Sequence, residues 1–233
     1  MSAHDETRAV AERYARRGGE ERYRLLRPEV WQMVHERQRV LLRLLVAQGV
    51  TDLSTLWLAE VGCGAGGNLL ELLRLGFRPE HLQGVELLPE RFEQARHALP
   101  AATTLWPGDA LVAPIVPASL DLVLQSTVFS SLLDDNFQQR LANQMWAWLK
   151  PGGAVLWYDF TVNNPRNPDV RGVPLRRLRQ LFPEGSVLHR RVTLAPPLAR
   201  AVCRLHPSLY TVLNSPPLLR THLLAFVRKP GGR

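Results

Sequence analysis

"LWLAEVGCGAGGNLLELL", residues 56–73, decides how the rest of the chain is read. An apolar run ends in Glu60, glycines stand at 62, 64, 66 and 67, and leucines then recur at helical spacing. The pattern is that of a strand, a tight turn and a helix, the opening of a parallel β-α-β unit. In an open parallel sheet, ligands bind beyond the carboxyl ends of the strands where the strand order reverses, and this turn falls at such a place. Without Cβ atoms, Gly62, Gly64 and Gly66 allow a turn with positive φ and let a ligand approach the backbone closely.

The alternation continues downstream. "HLQGVEL" (81–87) reads as a second strand and "PERFEQARHAL" (89–99) as a helix opened by Pro89. "ATTLWPGDA" (102–110) gives a third strand, "LDLVLQS" (120–126) a fourth and "DDNFQQRLANQMWAWL" (134–149) a helix with an acidic start. The turn "KPGG" (150–153) feeds a fifth strand, "AVLWYDF" (154–160). Upstream, 5–17 and 28–48 read as helices, the second opening at Pro28. After 160 come a polar loop, a basic helix "PLRRLRQLF" (174–182) and two strands, 186–195 and 221–229. An apolar, proline-punctuated insertion (195–219) separates those strands. The expected fold class is α/β, a doubly wound, mostly parallel sheet with helices on both faces. We expect one domain over 1–233: a helical lid (1–50), a core (51–160) and an acceptor-side part (161–233).

Composition sets bounds. The 233 residues are 45% hydrophobic and 21% charged, which suits one globular body. No apolar run reaches the ~18–20 residues that a membrane span needs, and the polar N-terminus has no signal core. Two cysteines, Cys63 and Cys203, lack metal-ligand spacing and fit a reducing compartment, so a cytoplasmic location is expected. The net charge of +8 leaves an anionic partner open. However, "VHERQR" (34–39) and "RFEQAR" (91–96) look like solvated helix faces, with no interleaved aromatics for stacking on bases. Nucleic acid is therefore not the expected partner.

Two acids join the glycines. Glu86 ends the second strand, where a carboxylate can accept from the vicinal hydroxyls of a ribose. Asp109 follows the third strand, placed to meet the edge of a base. Together they describe an adenosine-shaped slot; the turn itself reads "EVGCGAGGN", with Glu60 before the first glycine and no Walker lysine.

"EVGCGAGGN" resembles motif I of the class I S-adenosylmethionine-dependent methyltransferases. "GVEL" is similar to their acidic ribose motif, "GDA" to the adenine motif, "DLVLQSTVFSSLLD" to motif IV, and "LKPGG" to the turn before the fifth strand. The resemblance spans residues 58–159 in family order. It implies a seven-stranded sheet of order 3-2-1-4-5-7-6, S-adenosylmethionine as cofactor and S-adenosylhomocysteine as product. By the same resemblance, Glu60 orients the glycine turn and approaches the methionine ammonium through water. Gly62, Cys63, Gly64 and Gly66 form the turn, with Asn68 as a polar neighbour. Glu86 binds the ribose and Leu87 packs on the base. Asp109 accepts from the adenine amino group, the Ala110 amide donates to the ring, and Gln125 offers a backbone carbonyl to the ammonium. Tyr14 or Tyr23 closes a lid helix over the cofactor or the acceptor, unless both simply pack their helix.

Methyl transfer to a hydroxyl needs a proton acceptor near the end of strand four or five. Asp159 is the first candidate, against a structural alternative as a loop cap; His206 and Tyr210 come second. No metal is expected, because Gln125-Ser126 and Phe160 stand where metal-dependent catechol-type members carry acids and Asn. Asn163 and Asn164 alone would make a weak cation site. Asn163 and Arg166, with Arg171, Arg176 and Arg177 nearby, could hold a phosphate or carboxylate of the acceptor. The 195–219 insertion could be an acceptor wall, a homodimer contact or a peripheral membrane patch. The expected function is metal-independent O-methylation of a small-molecule, sugar or lipid-linked glycan acceptor. The alternatives are an RNA methyltransferase and a non-catalytic cofactor-binding partner protein.

Overall fold

A computed structural model describes residues 3–16, 24–164 and 167–232. Its described elements are, in chain order, α1 (Ala3–Arg16), α2 (Pro28–Ala47), β1 (Leu58–Val61), α3 (Gly67–Leu75), β2 (Leu82–Glu86), α4 (Pro89–Ala98) and β3 (Thr104–Pro107). Then follow β4 (Leu120–Ser126), α5 (Asp135–Trp148), β5 (Leu149–Phe160), α6 (Leu175–Leu181) and β6 (Ser186–Leu194). The chain closes with α7 (Pro196–Leu205), α8 (Ser208–Leu213) and β7 (Arg220–Arg228).

The strands form one sheet of order β3-β2-β1-β4-β5-β7-β6. β1 to β5 pair in parallel, and β7 runs antiparallel to both β5 and β6. All four residues of β1 are buried, as a strand covered on both faces requires. On one face Leu58, Leu122, Leu124 and Leu156 meet Leu69 and Leu72 of α3, Ala95 of α4 and Leu45 of α2. On the other, Ala59, Val123, Val155 and Trp157 meet Phe137, Leu141 and Met145 of α5 and Leu178 of α6. Burying each such leucine contributes about 1.5–3 kcal/mol, so this alternation fixes which way every strand faces.

Local chemistry sets the helix ends. The Asp134 carboxylate accepts the Phe137 amide at 2.7 Å and starts α5. Pro28 stands at the first turn of α2, where its missing N–H leaves nothing unpaired. Some sequence readings differ from the structure. "KPGG" lies inside β5, with a register shift in the β4–β5 pairing near Leu120, so the turn is part of the strand. The proline-rich insertion is not irregular: α7 and α8 form a two-helix flap whose Ala199, Val202, Cys203 and Tyr210 pack around Leu194 and Met33. Nor is "VHERQR" a solvated face. Glu36 is buried and Arg37 half-buried, because α2 lies across the sheet, with Leu44 and Val40 on Tyr158, Val192 and Leu224. A helix covered by both the sheet and the flap has two inward stripes, a pattern that periodicity alone assigns to solvent.

Candidate active site

The turn after β1 is held by its own backbone. The amides of Gly62 and Cys63 both donate to the carbonyl of Val85 on β2, at 2.8 and 3.1 Å. Gly62 has φ of 66°, and a Cβ there would lie 2.7 Å from Val128 Cγ2 in the loop after β4. Gly66 has φ of 84° and its Cβ would strike Leu99 of the α4 end at 2.9 Å. Only glycine permits both the conformation and the approach. The Cys63 side chain turns inward, 2.8 Å from where Gly84 would carry a Cβ, so it packs the core and leaves only its backbone to the turn. Burial pushes its thiol up, away from the thiolate.

Glu60 lies beneath the turn, fully buried. Asn68 Nδ2 donates to its Oε1 at 2.5 Å, and Oε2 has no partner among the described residues. Burial raises its carboxyl to about 8, against the pull of Asn68 and Arg37. Glu86 Oε2 accepts the Gly64 amide at 2.7 Å and its Oε1 the Leu88 amide at 2.9 Å. Each oxygen keeps a lone pair for a further donor. Asp109 Oδ1 accepts the Leu111 amide and Oδ2 the Thr7 hydroxyl, both at 2.9 Å. Glu86, Leu87, Asp109 and Ala110 line one cleft of about 150 Å³ together with Gly62 and Thr127.

That cleft is small because α1 lies over it, through Thr7, Val10 and Tyr14. The helix is stapled down by a buried pair, Arg13 Nη2 to Glu6 Oε1 at 2.6 Å. Arg13 also donates to the Ser131 carbonyl at 3.0 Å, and Glu6 accepts the Leu133 amide at 2.8 Å. The Tyr14 hydroxyl is 3.3 Å from Ser131 Oγ, with the Arg91 guanidinium 4.9 Å from the Tyr14 ring centroid. Tyr23 and Arg166 lie outside the described residues.

The candidate bases are placed less openly than expected. Asp159 is fully buried, Oδ2 accepting the Ser130 amide at 3.0 Å and Oδ1 the Phe160 amide at 2.9 Å. Burial lifts it to about 7. It fastens the loop after β4 to β5, which is the structural alternative read from sequence. His206 is exposed at the end of α7, its Nδ1 accepting the Ser208 amide at 3.3 Å. Tyr210 is buried, and its hydroxyl donates to Glu36 at 2.8 Å, tying the flap to α2. Asn163 Oδ1 accepts the Gly172 amide, which closes the loop on itself. Arg171 and Arg177 turn to Asp135 at the start of α5. These arginines hold the loop to the body in place of the anion grip expected of them. Gln125 is fully buried, its side chain bridging the Val128 amide and the Tyr158 carbonyl.

Past the glycine turn stands a cluster that sequence reasoning missed. Arg37 of α2 donates to Asn68 at 2.8 Å, pairs with Glu71 at 3.1 Å and comes within 3.5 Å of Ser126 Oγ at the end of β4. Its guanidinium lies 5.2 Å from the Tyr158 ring centroid, and His222 of β7 stacks on the same ring at 4.9 Å with an interplanar angle of 13°. Only "HERQR" itself carries a signal, a buried Glu beside a half-buried Arg, and it shows only once the flap is placed.

Residues 58–153 match the model of a family described as a methyltransferase domain. No curated protein matches the chain in sequence. Among similar solved structures is Burkholderia thailandensis 1,6-didemethyltoxoflavin-N1-methyltransferase with bound 1,6-didemethyltoxoflavin and S-adenosylhomocysteine. It is 15% identical, with 99% of this chain and 91% of that chain covered and a TM-score of 0.65. A complex between the Haloferax volcanii Trm112 methyltransferase activator and a methyltransferase aligns at 17% identity, over 100% and 99% of the two chains, with a TM-score of 0.63. An S-adenosylmethionine-dependent methyltransferase from Mesorhizobium loti aligns at 16% identity, over 79% and 95%, with a TM-score of 0.60. At these identities the likeness is one of fold.

Proposed function

We propose, from the premise of a class I, S-adenosylmethionine-dependent methyltransferase domain over residues 58–153, that the chain methylates an oxygen of a small-molecule acceptor. The cofactor supplies an electrophilic methyl on a sulfonium, so the protein's work is to align, to exclude water and to manage one proton. The single observation that carries the reading is the unpartnered Oε2 of buried Glu60 beside the glycine turn. A buried carboxyl raised to about 8 is stabilised by a cation brought close, and the methionine ammonium is such a cation. A dinucleotide offers phosphates there instead, which would hold this carboxyl in its neutral form and gain nothing from its ionisation.

In this reading Glu86 accepts from the ribose hydroxyls while its amide partners hold it in place. Asp109 exchanges the Thr7 hydroxyl for the adenine amino group, Ala110 donates to the ring, and Leu87 packs on the base. Tyr14 covers the bound nucleoside. The turn of Gly62, Cys63, Gly64 and Gly66 takes the methionine part, and Gln125 holds the loop that offers backbone to the ammonium.

A small acceptor is supported by the cover that α1 places over the cleft through Thr7, Val10 and Tyr14. Support also comes from a neighbour acting on a small heterocycle that aligns over nearly the whole chain. Oxygen is favoured over nitrogen because Arg37 presents a cation beyond the methyl end, where a protonated amine would be repelled. Incubation with methyl-labelled cofactor and a panel of hydroxylated, amino and RNA acceptors tests this. Label on hydroxyl oxygens is the expected result; label only on amines or on RNA contradicts it.

A further inference from the structure

Beyond the cofactor cleft, the same edge of the sheet carries a polar device on its α2 face. β7 runs antiparallel to β5, so its first residues lie beside the carboxyl ends of the parallel strands, with His222 paired to Phe160. Arg37 joins this place to the cleft: it touches Asn68, the partner of Glu60, and Ser126, while lying over the ring on which His222 stacks. Ser126 lines the cleft, so its contact with Arg37 sets this cluster beside the cleft at the end of β4.

We infer that His222 is the base that takes the proton of the acceptor, and that the acceptor group is a phenolic or enolic hydroxyl. The inference rests on the methyltransferase reading above and deepens it.

A chain of hydrogen bonds sets the imidazole. Buried Glu36 accepts the Thr193 amide with both oxygens, at 3.1 and 3.2 Å. Thr193 is held at φ of 65°, a costly conformation for a β-branched residue, and the register of β6 skips it. Its carbonyl accepts the Thr221 hydroxyl at 3.4 Å, and Thr221 Oγ1 lies 3.0 Å from His222 Nδ1. A hydroxyl has one hydrogen. We assign that hydrogen to Thr193; the Thr221 oxygen then accepts from Nδ1–H, and Nε2 is the bare nitrogen. Nε2, at the far end of the ring from the backbone, has no hydrogen-bond partner among the described residues.

The charges around the ring agree. Arg37 from α2 lies over the Tyr158 ring on which the imidazole stacks, and no carboxylate among the described residues is bonded to His222. Arg191 and Arg220 of the flanking strands turn to Thr161 and to backbone carbonyls. Burial first, and then Arg37, lower His222 to about 4, so it is neutral across the physiological range. Burial also lifts the Tyr158 hydroxyl to about 12, which leaves it a donor to Thr193 and no competing base. The neutral imidazole is free to accept a proton, and the Arg37 guanidinium beside it stabilises the negative charge that develops on an acidic hydroxyl and repels a protonated amine. In the step, the acceptor O–H bond breaks towards Nε2 while the oxygen bonds to the methyl carbon. The carbon–sulfur bond breaks with its pair going to sulfur, the sulfonium becomes a thioether, and the imidazolium later loses its proton to water.

The test has two readouts. Nitrogen-15 spectra of the labelled protein with S-adenosylhomocysteine, assigned with His222→Asn, should show the Nδ1–H tautomer at pH 7 and titration near pH 4. An Nε2–H tautomer, or an unshifted midpoint, overturns the assignment. Methyl transfer to substituted phenols of graded acidity is the second readout. Wild type should methylate them, and His222→Asn should lose roughly 100-fold or more in kcat, most for the least acidic phenol, with S-adenosylhomocysteine affinity unchanged. Thr221→Val keeps the ring and should lower kcat while redistributing the tautomer. Equal rates in His222→Asn and wild type make the histidine a structural tie and overturn the proposal. Failure of a wild type that binds S-adenosylhomocysteine to methylate any phenol overturns the acceptor class. Absence of that binding would sink the underlying reading instead.

Discussion

Where we place the adenosine, the three acids Glu60, Glu86 and Asp109 come from the stretch between residues 60 and 109, and each is tied to backbone amides or to Asn68. Where we place the acceptor, the groups come from α2, β5 and β7, and they are a cation, an aromatic ring and an imidazole. The first end is built from one β-α-β-α-β run whose turns repeat at fixed positions. The second is assembled from segments nearly two hundred residues apart, brought together by α2 lying across the sheet and the flap closing on it. Binding a constant ligand suits the first construction. The second can be rebuilt for a new acceptor without disturbing the first.

Substitutions should separate the two ends. The largest effect expected is that of Glu86→Ala. It removes two charge-assisted ribose contacts, each worth about 1.5–3 kcal/mol, so S-adenosylhomocysteine affinity should fall at least about 100-fold by calorimetry. Unchanged affinity would mean the ribose lies elsewhere and the comparison is drawn at the wrong place. Next is Arg13→Ala, which leaves Glu6 buried without its cation at a cost of about 3–5 kcal/mol. Hydrogen exchange should show α1 unprotected while the sheet amides keep their protection; loss in both would make α1 part of the core. Tyr210→Phe takes one donor from buried Glu36 and should cost about 1–3 kcal/mol in denaturant unfolding, with cofactor affinity kept. A drop in cofactor affinity would show that the two ends are coupled.

The smallest effect concerns a proton. Glu60 is protonated at neutral pH when its carboxyl sits at about 8, and a bound ammonium favours the ionised form. Binding at pH 7 should therefore release about one proton, and affinity should rise with pH towards 8. Calorimetry in buffers of different ionisation enthalpy would detect this, and Glu60→Gln should abolish it. Equal proton release in the variant would move the ammonium away from Glu60.

What could be read in the sequence follows the same division. The glycine turn and the placements of Glu86 and Asp109 were legible because backbone constraints and short spacings impose them locally, whereas the strand order, which the structure bears out, came only with the resemblance to methyltransferases. Asp159 could be located but not understood. Its position at the end of β5 suits a base or a cap, and only the loop of Ser130 folding back over it decides for the cap. His222 was invisible, being one histidine in an ordinary strand, with its partners Thr221, Thr193 and Glu36 gathered from elsewhere. Arg37 was misread because a charged residue on a helix is normally solvated, and only α2's burial on two sides overturns that prior.

The account stands most directly on which nucleoside the cleft takes. Titration calorimetry of the full chain with S-adenosylmethionine, S-adenosylhomocysteine and NAD, run beside Glu86→Ala, tests that. The predicted result is saturable binding of the first two ligands, none of NAD, and loss of binding in the variant. Binding of NAD, or no binding of either sulfur nucleoside by the folded chain, would contradict the account.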